Sequence, residues 1–138
     1  MGKIAAWEPK FSVGHPVFDE QHQELFALCQ QAADCVDNDS IESTAQFYTI
    51  LHDLVDYTSR HFRAEEKVLR EHNYPQLEEH RAEHVKYELR LTEFLLEANC
   101  GTIDKASLYH YLSEWWTHHI LQSDMGYRDF LQNQAPSP

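Results

Sequence analysis

The sequence predicts an all-α fold, an antiparallel up-down-up-down four-helix bundle with an extended N-terminal arm. Three observations carry this expectation. Apolar residues recur at spacings of three and four along four long runs. Short segments containing Pro, Gly, Asn or Asp separate the runs. There is no alternating β-branched stretch and no Asn-Gly hairpin signal, so no sheet is expected. The 138 residues suit one domain with a substantial core, in which 1–18 form the arm and 134–138 a disordered tail. No internal repeat and no second domain is indicated.

The elements follow in order. Pro9, Gly14 and Pro16 interrupt any helical period, so the chain up to residue 18 reads as extended. From Asp19, a residue suited to an N-cap or first turn, His22, Leu25, Phe26, Cys29, Ala32 and Ala33 form one stripe. The run Asp37-Asn38-Asp39-Ser40 ends this helix, and Ser40 is placed to cap the next. The second helix spans about 41 to 71, with Phe47, Ile50, Leu51, Leu54, Val55, Thr58, His61, Phe62, Glu65 and Leu69 on its inner face. His72-Asn73-Tyr74-Pro75 breaks it. The third helix starts near Gln76, carries Leu77, His80, His84, Tyr87, Leu91, Phe94 and Leu95, and stops at Gly101. The fourth starts near Asp104 and carries Leu108, Leu112, Trp115, Trp116, His119, Ile120 and Tyr127.

Charge and composition remove several function classes. With 11 Lys and Arg against 23 Asp and Glu, the formal net charge is -12. Phosphate neutralisation needs a basic surface, so nucleic acid is not an expected partner, and an anionic membrane is disfavoured for the same reason. The acidity reads as a solvated surface and points to a monomer. No apolar run approaches the roughly 20 residues of a membrane span. The N-terminus reads as neither a signal peptide nor a myristoylation site, since Ala6 stands where the latter needs Ser or Thr. Cys29, Cys35 and Cys100 are odd in number and form no C-x-x-C, so buried free thiols in a reducing, cytoplasmic compartment are expected.

The chemistry sits in one constellation: His22, His61 with Glu65, His80 with His84, and His119 with Asp124. On an α-helix, positions i and i+4 differ by roughly 40°, so His61 and Glu65 share a face, as do His80 and His84. The apolar stripes run through these positions, which turns the polar groups inward. A single such histidine is most simply a hydrogen-bonded core residue. Seven inward titratable groups from four helices are not, because burying them without partners is costly and metal coordination offsets that cost for imidazole and carboxylate together. Seven ligands exceed the four of a tetrahedral zinc site. They suit two adjacent transition-metal ions, and a thiolate-free imidazole and carboxylate set fits iron.

His119 and Asp124 are separated by five residues, roughly 140° on a regular helix. Spacing alone leaves two solutions: a π-type widening, which Gly126 would assist, or a side chain reaching around. The other histidines read as peripheral. His15 lies in the arm and His72 in a loop, both exposed, and His52 and His110 lie off the stripes. His118 points roughly 100° from His119, leaving a supporting hydrogen bond open. Phe26, Phe62, Trp115, Trp116 and Ile120 pack near the ligand positions. Core packing is their first role; Trp116, Phe26, Phe62 and Ile120 are also candidates to line a small-molecule pocket.

Asp19-Glu20-Gln21-His22, His61-Phe62-Arg63-Ala64-Glu65-Glu66, His80 to His84, and His119-Ile120 through Asp124 to Tyr127 together resemble the hemerythrin family, in its bacterial branch. Phe11-Ser12-Val13-Gly14 is similar to the family's arm, and the resemblance runs from Trp7 to about Phe130. It implies a non-haem di-iron centre with an oxo or hydroxo bridge, dioxygen as the ligand, and reversible binding for carriage, storage or sensing. It implies that His80, His84 and His119 bind one iron, His22 and His61 the other, and that Glu65 and Asp124 bridge them. One position departs from the family. The Leu that often follows the Trp matching Trp115, and lines the oxygen pocket, is Trp116 here. A narrower pocket, a blocked one or a different access path would each follow from the larger ring.

Two other classes stand beside reversible binding. A di-iron enzyme (oxidase, peroxidase or nitric oxide reductase) is the main alternative. Ferritin-like enzymes use Glu-x-x-His pairs, and no histidine here has a Glu three residues before it. Spacing reveals no spare acid or base, so the chain is expected not to be an enzyme. A metal-stabilised interaction module, acting through a separate signalling or oxygen-accepting partner, is the third.

Overall fold

The computed structural model describes residues 7–35 and 40–133, so the expectations for the extreme N-terminus, the Asp37–Asp39 break and the 134–138 tail fall outside the described residues. The regular structure of the described residues is all helical, with no strand. Helix α1 is Pro16–Asp34, α2 Ile41–Glu71, α3 Leu77–Asn99 and α4 Lys105–His118. A π-helical turn, His119–Asp124, joins α4 directly to α5, Met125–Asn133, so the fourth rod of the bundle is one interrupted helix. α1 packs on α2 and α4, and α2 on α3.

The ends of the helices are made by the residues the sequence places there. Ser40 accepts a hydrogen bond from Ser43 N at 3.1 Å, and Asp104 one from Ser107 N at 3.2 Å. α3 closes on Gly101 at φ 72°, with Gly101 N bonded to Ala98 O and Thr102 N to Glu97 O. α2 closes in the same way on Asn73 at φ 56°, with Asn73 N bonded to Arg70 O and Tyr74 N to Leu69 O. These are paired Schellman closures, one on the expected glycine and one on asparagine, the next most tolerant residue at positive φ.

The arm departs from expectation. Helix α1 begins at Pro16, three residues before Asp19, because proline at the first helical position loses no needed hydrogen bond. The arm is not wholly extended, since Pro9–Phe11 forms a 3-10 turn. Asp19 sits in the first turn and holds the arm instead, accepting from Ser12 Oγ at 2.6 Å and Val13 N at 2.8 Å. His15, expected to be exposed, is half-buried; its Nδ1 caps α1 by accepting from Phe18 N, and its ring stacks on Phe18 at 3.9 Å. Of the three thiols, Cys29 and Cys35 are buried as expected, but Cys100 is exposed at the end of α3.

The apolar interior falls into two clusters. The larger holds Leu25, Leu54, Phe62, Leu91, Phe94, Leu112 and Trp116. The smaller holds Val13, Phe18, Leu69, Tyr74 and Tyr127. Each helical rod passes from one cluster to the other at the same level: between Phe18 and Leu25, Phe62 and Leu69, Tyr74 and Tyr87, and Ile120 and Tyr127. The seven titratable residues singled out by spacing lie within these intervals or, for His61 and His119, directly beside them.

Candidate metal centre

All seven are buried, none more than 3% exposed. α1 contributes His22, α2 His61 and Glu65, α3 His80 and His84, and the π turn His119 and Asp124. The Glu65 carboxylate lies among four rings. Its Oε2 is 3.2 Å from His22 Nε2 and 3.1 Å from His61 Nε2, and its Oε1 is 3.4 Å from His80 Nε2 and 3.3 Å from His84 Nε2. Asp124 repeats the division, with Oδ2 3.3 Å from His22 Nε2, and Oδ1 3.2 Å from His80 Nε2 and 3.0 Å from His119 Nε2. Each carboxylate thus gives one oxygen to a two-histidine group and the other to a three-histidine group.

The π turn resolves the five-residue spacing. Its extra residue per turn returns Asp124 to the inner face beside His119, the first of the two solutions open from spacing. Gly126 serves differently from the expected relief of distortion. It is not in a glycine-specific conformation, but a Cβ there would come 2.9 Å from the Tyr74 hydroxyl. It gives Tyr74 room against the start of α5.

The short distances in the cluster are mostly not good hydrogen bonds. Nε2 of His61, His84 and His119 and both oxygens of Asp124 are buried without a hydrogen-bond partner. Such groups are costly unless something else satisfies them. Glu65 with His80, His84 and His119, and Glu65 with His22 and His61, each bring ligand atoms within 4.8 Å of one another, a spacing that fits a cation. The charges agree. Burial raises the Glu65 carboxyl, but the rings of His61, His22 and His80 outweigh it and hold it well below its usual range. Burial and Glu65 raise Asp124, and His119 and His80 overcome them. Burial lowers His80 and His119, yet Asp124 and Glu65 carry His80 up to about 10, and Asp124 with Glu83 carries His119 up to about 9. Positive charge is therefore favoured between the carboxylates, and protons on these two rings are what a metal would displace.

The outer nitrogens are held unequally. His84 Nδ1 is 2.9 Å from Glu66 Oε2, and His61 Nδ1 is 2.6 Å from Gln21 Oε1. Glu83 lies 3.5 Å from His119 Nδ1 and accepts from Ser123 Oγ. The Tyr127 hydroxyl donates to Glu65 Oε2 at 2.8 Å. A cleft of about 360 Å³, lined by Glu79, His80, Glu83, Ser123 and Gly126, reaches the α3 side of the cluster.

This burial, ligand type and four-helix placement agree with comparison to known proteins. The Hemerythrin HHE cation binding domain matches residues 13–131. The chain belongs to the hemerythrin family. It is 28% identical over 126 residues to a bacteriohemerythrin of Stenotrophomonas maltophilia, spanning 91% of this chain and 80% of that one. It is 26% identical over 127 residues to a bacteriohemerythrin of Pseudomonas aeruginosa (92% and 81%). A hemerythrin-like protein of Naegleria gruberi is 28% identical over 126 residues (91% and 92%). A wild-type hemerythrin crystal structure superposes with TM-score 0.83 at 21% identity, covering 91% of this chain and 96% of that one. The likeness to that structure concerns the fold.

Of the four candidate pocket residues, three lie against or beside the histidines. Phe62 stacks on His84 at 3.7 Å, and the Trp116 ring is 6.4 Å from His22 and 6.3 Å from His61. Ile120 is fully buried next to His119. Phe26 instead packs on Phe11 at 5.5 Å. His52, His72, His110 and His118 are exposed. Sequence reasoning placed Tyr127 on the inner stripe and Gln21, Glu66 and Tyr127 within the family-like motifs, but gave none of them, nor Glu83, a role at the site. Gln21 and Glu66 each neighbour a candidate ligand in the chain, the local signal that marks them.

Among the described residues, no helix is long and apolar enough to cross a membrane.

Proposed function

We propose that the chain holds two iron ions and binds dioxygen reversibly. The division of both Glu65 and Asp124 between a two-histidine and a three-histidine group carries this reading, since it is what two adjacent ions sharing two carboxylates require. In the reading, His22 and His61 hold one ion and His80, His84 and His119 the other. Glu65 and Asp124 would be shared between them, together with an oxo or hydroxo group. Two irons so held would supply the electrons that dioxygen binding needs, with room for it on the side with fewer histidines.

The protein's own groups set the conditions. Trp116, Phe62 and Ile120 keep bulk water from the ligands. Gln21 and Glu66 fix the orientation of His61 and His84. Tyr127 holds the Glu65 carboxylate by a hydrogen bond. The names of the bacterial relatives and the donor set support iron, and the free thiols support a reducing, cytoplasmic setting. Carriage, storage and sensing for an oxygen-accepting or signalling partner all draw on the same binding.

The alternative is a di-iron enzyme, which would need an acid or base beside the site. The buried Tyr127 hydroxyl lies 2.8 Å from Glu65, but burial and the two carboxylates push its pKa up, so it serves as a hydrogen-bond donor to Glu65 and not as a proton source. One experiment separates the two. Protein purified in air is assayed for iron and cycled between argon and oxygen while its visible spectrum is recorded. Two irons per chain and a reversible spectral change are expected. Irreversible oxidation with turnover of peroxide or nitric oxide would establish the enzyme, and zinc or a single metal would overturn the di-iron reading.

A further inference from the structure

The aromatic rings around the centre differ in one respect beyond packing. Phe18, Phe62, Trp116 and Tyr127 touch candidate ligand rings and are fully buried. Trp115 touches one as well, lying nearly parallel on His119 with centroids 4.3 Å apart and planes at 13°, but it is only half-buried. Among the described residues it is the ring that both stacks on a candidate ligand and reaches the surface. It does not stand alone. Tyr87 stacks on Trp115 at 4.0 Å, and Tyr111 stacks on Tyr87 at 5.7 Å and 13°. Tyr111, Trp115 and His119 recur every four residues on one stripe, and Tyr87 of α3 lies against the first two. The Tyr87 hydroxyl accepts from Trp116 Nε1 at 2.8 Å, which fixes its ring. Tyr111 and Trp115 both face one surface cavity of about 820 Å³.

We propose that Tyr111, Tyr87 and Trp115 form an electron route from this face to His119, through which the oxidised centre is returned to its reduced state. The inference rests on the di-iron reading. Stacked π systems couple electronically better than aliphatic packing does, and the stack, closest at Tyr87–Trp115 and Trp115–His119, ends on a candidate ligand. The transfer through the rings makes and breaks no covalent bond, and an oxo bridge at the centre would take up one proton from solvent as the two electrons arrive. Two molecules of an external one-electron donor each lose one electron, and two ferric ions become ferrous. The rings mediate the transfer and are unchanged at its end.

The test uses the full chain, iron-loaded and oxidised, mixed without oxygen with reduced methyl viologen as the one-electron donor. Iron content and midpoint potential are measured alongside the rate. Trp115→Leu should slow reduction about tenfold, equivalent to about 1.4 kcal/mol in effective barrier, while Trp115→Phe should stay within about threefold of wild type. Tyr111→Leu, which removes the outer ring without touching a ligand, should also slow it. Tyr57→Leu, on α2 outside the stack, should not. Equal rates for Trp115→Leu and wild type, at equal iron content and potential, would overturn the route alone. Should Trp115→Leu lose iron, an unchanged rate in Tyr111→Leu overturns it. Wild-type protein that holds no iron would overturn the di-iron reading and the route with it.

Discussion

Asp124 Oδ1 lies 3.0 Å from His119 Nε2, although the two residues are five apart on a helix. The π turn between them puts a second carboxylate in the centre, on the opposite rod from Glu65. Asp124→Ala would remove oxygen atoms from both histidine groups at once. It should lower bound iron from two per chain to one or fewer while the far-ultraviolet circular dichroism stays helical. His118→Ala, at an exposed neighbouring position, is the control and should retain full iron. Metal analysis of the two variants checks this, and full occupancy in Asp124→Ala would remove Asp124 from the ligand set.

Glu66 is 4% exposed and carries no ligand role, yet its Oε2 sits 2.9 Å from His84 Nδ1. Partners of this kind fix the tautomer and raise ligand basicity, and losing one typically costs about 10- to 100-fold in metal affinity. Glu66→Ala should weaken iron retention by that range. A chelator-competition titration against wild type reads it. Glu88→Ala, aimed at a partly exposed carboxylate paired with Arg63, should leave retention unchanged.

The limits of legibility follow from these two residues. The pairs His61–Glu65 and His80–His84 were readable because helical spacing puts them on a stripe already marked as buried by Phe62, Leu69, Tyr87 and Leu91. The caps at Ser40, Asp104 and Gly101 were readable from local chemistry. Asp124 was not settled, because a regular helix turns it away and a π turn has no compositional signature. Glu66 was invisible because its carboxylate lies one step off the stripe, where a charged residue normally faces water. It is buried only because His84 arrives from α3. The start of α1 was misplaced because a proline reads as a breaker, although at the first helical position it is favourable.

The pH dependence of stability should have opposite signs with and without metal. In the metal-free protein, His80 and His119 are raised from 6.5 to about 10 and about 9. A raised histidine contributes stability that is fully present below its unfolded value and lost as pH rises through its folded value. The metal-free melting temperature should therefore fall from pH 6.5 to about 10. His61 is lowered by burial, and its effect lies below this window. Metal binding requires deprotonated ligands, so the metal-loaded protein gains affinity, and with it stability, over the same range. Calorimetry of both forms at matched pH values checks the signs, and parallel slopes would contradict the charge arrangement.

Gly126 and Tyr74 give a steric test of the frame next to Asp124. A Cβ at 126 would lie 2.9 Å from the Tyr74 hydroxyl, closer than real Cβ contacts allow. Gly126→Ala should destabilise the protein by about 1 kcal/mol, the low end of the overpacking range, because the clashing atom is the tip of the Tyr74 side chain and alanine gains helix propensity. Tyr74→Phe removes the clashing oxygen. The double variant Gly126→Ala with Tyr74→Phe should recover most of the loss, which a double-mutant cycle in urea measures. Additive losses would mean that the contact is not the reason for glycine.

Trp116 stands where the family often has leucine, and its fully buried ring lies 6.4 Å from His22 and 6.3 Å from His61, on the two-histidine side. If dioxygen binds on that side, this ring forms part of its wall. Trp116→Leu would open space there and leave the Tyr87 hydroxyl without its donor. The expected stability cost is about 2–3 kcal/mol, below the range for truncating a large core side chain to alanine because leucine refills part of the volume. Oxygen dissociation and autoxidation, followed by stopped-flow visible spectroscopy, should both change. Trp116→Phe, which keeps a flat ring but cannot donate to Tyr87, separates the two effects. If only the wall matters, it should behave as wild type; if the hydrogen bond matters, it should follow Trp116→Leu. Identical kinetics in all three proteins would show that Trp116 is core packing with no part in ligand access.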